Sequence, residues 1–88
     1  MKKYSIITEY KGGIFINQYE APDIQNLLYM WMNGFDKRYF TISKRLQINN
    51  ELNRLPLLIE HVKGLENVLC ISFLIEKLTI TLFIIETL

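Results

Sequence analysis

One cysteine, Cys70, and one histidine, His61, among 88 residues remove much of the chemistry that small proteins use. A lone thiol closes no internal disulfide, and no HxxxH, CxxC or alternating aspartate pattern supplies a metal-ligand set. No Asn-x-Ser/Thr acceptor is present either, so the chain reads as one from a reducing, cytoplasmic setting. An excess of charge of one sign is also missing: ten Lys and Arg stand against nine Asp and Glu, a net +1. No global field therefore draws the chain to nucleic acid or to an anionic membrane. There is no repeat, no low-complexity segment and no linker long enough to separate domains.

A membrane-spanning run is lacking too. Residues 68–85 approach the necessary length, but Glu76 and Lys77 sit at their centre. Each would cost roughly 2.5–3.5 kcal/mol in an inserted helix. The run is also rich in Ile and Thr, which favour strands. Met1-Lys2-Lys3 starts like the charged region of a signal peptide. Glu9, Lys11, Gly12 and Gly13 then interrupt any apolar run, and the expectation is a native N-terminus.

What is there is a globular composition, half hydrophobic and 22% charged, sized for one domain over residues 1–88. Residues 67–87 fold on paper into a hairpin about a two-residue turn at Glu76-Lys77, pairing Ile75 with Leu78 and Phe73 with Ile80. Leu69, Ile71, Phe73, Ile75, Leu78, Ile80, Leu82 and Ile84 then share one face, because strand side chains alternate. A slip of one residue would scatter that set, so the pattern specifies its register. Residues 4–19 form a second hairpin with a Gly12-Gly13 turn, which pairs Tyr10 with Phe15, Thr8 with Asn17 and Ile6 with Tyr19. Its aromatic face, from Tyr4 to Tyr19, is the core candidate.

Ala21-Pro22-Asp23 opens a helix over 22–34, with Pro22 in the first turn and Asp23 complementing the dipole. Ile24, Leu27, Leu28, Trp31 and Phe35 make its apolar stripe, with Trp31 as a core anchor. Ser43 is a cap for a helix over 44–54, with Leu46, Leu52 and Leu55 partly inward. Pro56 opens a third helix over 56–63. The expected fold is α+β: two hairpins in one antiparallel sheet, with two or three short helices packed on one face.

The second face of that sheet is too apolar for an ordinary solvated surface. Val68, Cys70, Leu74, Phe83 and Ile85 lie on it, with Ile7, Ile14 and Ile16 added if the first hairpin's aromatic face is inside. Such a patch marks a partner surface, suited to a homodimer or a small protein partner, or else it is covered by a helix or by segment 36–50.

Catalysis requires a nucleophile, a base and a charge stabiliser within reach of one another. Nothing in sequence near Cys70 lowers its pKa, and the acidic residues stand singly. The chain reads as a non-enzyme, with no cofactor, no metal and no small-molecule substrate implied. One basic and aromatic stretch remains: Lys37, Arg38, Tyr39, Lys44 and Arg45, where cations facing phosphates and rings stacking on bases would suit single-stranded RNA or DNA.

The opening strand, Glu9-Tyr10-Lys11-Gly12-Gly13-Ile14-Phe15 and the strand and helix that follow resemble the start of HicB-like antitoxins over residues 4–33. That family's third strand before the helix and its Pro-Gly turn are missing. The resemblance implies a small bacterial protein that neutralises a toxin by binding it. The sequence thus points to a non-catalytic, self-associating binding protein, inhibitor-like or antitoxin-like as one instance, with a single-stranded nucleic-acid module as the alternative.

Overall fold

The computed structural model describes residues 1–35, 39–54, 59–61 and 64–87, with backbone alone at 59 and 61. Its elements run β1 (Lys2–Tyr10), β2 (Gly13–Ala21), α1 (Ile24–Gly34), α2 (Ile42–Leu52), β3 (Ile59–His61), β4 (Val68–Ile75) and β5 (Leu78–Thr87). The strands form one antiparallel sheet in the order β2-β1-β5-β4-β3, and both helices pack on one of its faces. The α+β architecture expected from the two hairpins is the one observed.

The C-terminal hairpin has the expected register, Ile75 opposite Leu78 and Phe73 opposite Ile80, around Glu76-Lys77. Both turn residues are left-handed, with φ of 52° and 69°, as a two-residue type I′ connection demands. Ile71, Phe73, Ile75, Ile80, Leu82 and Ile84 are buried together, and Leu69 packs against them. Leu78 departs from that set: it lies at the strand's start, beyond the last β1 partner of β5 (Glu9 opposite Thr81), and is 40% exposed.

The N-terminal hairpin turns one residue earlier than its glycine pair suggests. Lys11 and Gly12 occupy the turn, at φ of 50° and 75°, and Gly13 is the first residue of β2. Tyr10 therefore pairs with Gly13, Thr8 with Phe15, Ile6 with Asn17 and Tyr4 with Tyr19. Moving the turn by one residue changes the pairing by two, which keeps every side chain on its expected face. Burial of the face is thus the same for either turn. The observed one lets the Phe15 ring lie against the Gly13 Cα, where a Cβ would sit 3.1 Å from the ring. It also sets Phe15 edge-on to Phe35 and Tyr39.

Helix α1 starts at Ile24, because Asp23 is the N-cap and accepts from the Asn26 N–H at 2.8 Å. Pro22 precedes the cap and does not occupy the first turn. Leu27, Leu28, Trp31 and Met32 are buried, as i, i+3, i+4 spacing on one helix face requires. The indole N–H of Trp31 donates to Thr8 Oγ1 at 3.0 Å, joining α1 to β1 inside the core. Helix α2 begins two residues before its expected start, capped by Thr41 and not by Ser43. Ile48 and Leu52 face inward and Leu46 is 63% exposed, contrary to expectation. Positions 46 and 48 lie about 200° apart on a helix, so only one of them can face the sheet. Ile48 is in phase with Leu52 and wins.

The third expected helix is overturned where the structure describes it. Ile59–His61 is a short edge strand, with Ile59 opposite Ile71 and His61 opposite Leu69. β-branched Ile59 gains a ladder with β4 that a single helical turn after Pro56 lacks. Leu55, residues 56–58 and residues 62–63 lie outside the described residues.

Candidate functional site

Hairpin alternation puts half of each strand's side chains on the face that the helices leave bare. Cross-strand register then aligns them. Ile16 is opposite Ile7, Ile7 opposite Phe83, Phe83 opposite Cys70 and Cys70 opposite Glu60. The apolar row from Ile16 to Cys70 crosses four strands, roughly 14 Å at ordinary strand spacing. Ile85 and Val68, opposite one another, extend it toward one end of β5 and β4. Among the described residues nothing covers this face.

Polar pairs frame the row. On one side Gln18 Nε2 donates to Ser5 Oγ at 3.2 Å, and beyond it Lys3 is opposite Glu20. On the other side Glu9 is opposite Thr81, and the Ser72 and Thr81 hydroxyls share a hydrogen bond of 3.2 Å. Val68, Cys70, Phe83 and Ile85 are half-buried by their neighbours in the sheet. Leu74 is 64% exposed and stands apart, because the Ser72–Thr81 pair separates it from the row. Ile14 and Ile16, at 67% and 68%, are the most exposed apolar side chains of the sheet among the described residues, since β2 has a neighbour on one side only.

Chemistry on this face is sparse. Burial, and then the carboxylates of Glu60 and Glu9, push the Cys70 thiol above its usual range, so its nucleophilic thiolate form is scarce. Among the described residues, no group of three or more His, Cys, Asp and Glu side chains is placed to hold a metal ion. None of the described helices is long and apolar enough to cross a membrane.

The described part of the basic and aromatic stretch is engaged by the fold. Lys37 and Arg38 lie outside the described residues. Phe40 is buried, edge-on to Trp31 and stacked on Phe35 at 4.3 Å, and the Tyr39 ring packs edge-on to Tyr10, Phe15 and Phe35. The Lys44 ammonium donates to Tyr10 Oη at 3.1 Å and lies 3.9 Å from Glu76. The Tyr10 hydrogen bond is the first cause that raises its pKa. Neighbouring Lys11, also over the Tyr10 ring, is held below its usual range by Lys44. Arg45 is half-buried, its Nε and Nη2 shielded from water without a hydrogen-bond partner among the described residues.

Sequence reasoning placed Phe83, Cys70, Val68 and Ile85 together because one hairpin carries them all. Ile7, Ile14 and Ile16 were expected on the same face if the first hairpin's aromatic side is inside; that Ile7 adjoins Phe83 follows from β1 lying next to β5. Comparison with protein-family profiles, with curated proteins and with solved structures finds no match, so the likeness of residues 4–33 to HicB-like antitoxins gains no support there.

Proposed function

We propose that this chain is a non-catalytic binding protein that works through protein–protein contacts of its sheet, another copy of itself being the first partner. The observation that carries the reading is the apolar row from Ile16 through Ile7 and Phe83 to Cys70, bare on one side of a sheet whose other side carries the core. Contiguous apolar surface framed by polar residues is the usual composition of a contact site: burying it releases ordered water, while the rim keeps the free protein dispersed. An inhibitor-like or antitoxin-like role is one instance of this reading, in which the same surface meets a second protein.

Sedimentation velocity over a wide range of protein concentration tests the proposal. The expected result is a weight-average sedimentation coefficient that rises from the monomer's value as concentration increases. A monomer at every concentration would rule out self-association.

A further inference from the structure

A sheet ends in two edges, and the two here are unlike. β3 is three residues long, whereas β2 is a nine-residue edge strand. Long edges ordinarily carry lysines, proline, a bulge or a covering segment, which stop other strands from adding to them. Among the described residues β2 has none of these. Its register with β1 runs unbroken through nine pairs, and Gly13 through Tyr19 includes no proline and no charged residue. Among the described residues no strand lies on its outer side.

The ladder shows which backbone groups are open. A two-residue turn closes on a hydrogen-bonded pair, here Tyr10–Gly13, and bonded and non-bonded pairs alternate from that point. Gly13, Phe15, Asn17 and Tyr19 therefore direct their N–H and C=O groups to β1. Ile14, Ile16 and Gln18 direct theirs away from the sheet. Two strongly exposed apolar side chains, Ile14 and Ile16, thus sit on residues whose backbone groups have no strand partner among the described residues.

We infer that two copies of this chain join by antiparallel pairing of their β2 edges about a two-fold axis at Ile16. This rests on the self-association proposed above and assigns it to the β2 edge rather than to the bare face. With Ile16 opposite Ile16, Ile14 falls opposite Gln18, and every outward group from 14 to 18 meets a complementary one. Phe15 falls opposite Asn17 on the helix-covered side. The absence of charge from 13 to 19 selects this occupant: two identical strands meet without repulsion, while an acidic or basic peptide finds no counter-charge. Pairing also shields Ile14 and Ile16, and it fuses the two apolar rows into one stripe across a continuous sheet.

The test compares two variants by sedimentation velocity and follows wild-type amide exchange by NMR. Gln18→Pro deletes one outward N–H and breaks no backbone bond to β1, losing only the exposed side-chain bond to Ser5, a substitution that an edge strand tolerates. Phe83→Asp places a charge at the centre of the bare face. Edge pairing predicts that Gln18→Pro is monomeric while Phe83→Asp still dimerises. It also predicts that the amides of Ile14, Ile16 and Gln18 exchange more slowly as wild-type concentration rises, a readout independent of how well the proline variant folds. The opposite pattern, dissociation by Phe83→Asp alone with those amides exchanging freely, overturns edge pairing and leaves self-association by the face standing. A wild-type monomer at all concentrations overturns both, leaving the edge to a strand of another protein.

Discussion

Replacing Thr8 by valine tests a polar link inside the core. Thr8 and Trp31 are both fully buried, and the indole N–H donates to Thr8 Oγ1 at 3.0 Å. Valine keeps the branched shape but leaves that N–H without an acceptor among apolar side chains, a cost of about 1–3 kcal/mol. The added methyl returns about 0.8 kcal/mol of transfer free energy. The expected net loss is therefore about 0.2–2.2 kcal/mol, or a melting temperature lower by roughly 1–18 °C for a domain of this size. Urea denaturation followed by far-UV circular dichroism measures it. Trp31→Phe removes the donor at a cost of its own, and Thr8→Val in that background leaves no orphaned N–H. The second substitution should then be milder by about 1 kcal/mol, within the range of contacting pairs. A Thr8→Val protein as stable as the parent, or costs that add within about 0.3 kcal/mol, would refute the claim that this bond carries weight in the core.

Lys77 sits at φ 69°, where an L side chain costs about 1–2 kcal/mol. Lys77→Gly relieves that strain against about 0.5–1 kcal/mol of extra backbone freedom in the unfolded chain. A gain of about 0.5 kcal/mol in chemical denaturation is expected, and a loss would show that the lysine side chain makes a contact outweighing its backbone strain. For nucleic acid, a short single strand at low salt is expected to run unshifted in a gel, since Tyr39 and Phe40 pack inward and Lys44 is engaged by Tyr10 and Glu76. Retardation that weakens with salt and disappears in Lys44→Glu/Arg45→Glu would restore that reading.

The two hairpins were legible because their information is local. Alternation sorts Phe73 and Ile80 from Ser72 and Thr81 without reference to the rest of the chain, and a one-residue slip would expose the whole set. The helical stripe from Leu27 to Trp31 is local in the same way. The turn at Lys11-Gly12 was not legible, because Gly12-Gly13 produces the same faces and only the seat of Phe15 against Gly13, Phe35 and Tyr39 separates them. Leu46 was expected inward where Ile48 is, for a similar reason: both are apolar, and phase with Leu52 becomes decisive only when a sheet lies on one side.

The candidate surface divides along the same line. The amino-acid order alone put Val68, Cys70, Phe83 and Ile85 on one side of a ribbon, since that follows from a period of two within a single hairpin. That Ile7 and Ile16 continue the row depends on β1 docking beside β5, a pairing between residues more than seventy positions apart. That the Glu60 segment is an edge strand depends on β4 being there to receive it. Contacts of that range arise from which apolar faces bury one another, and no periodicity along the chain records them.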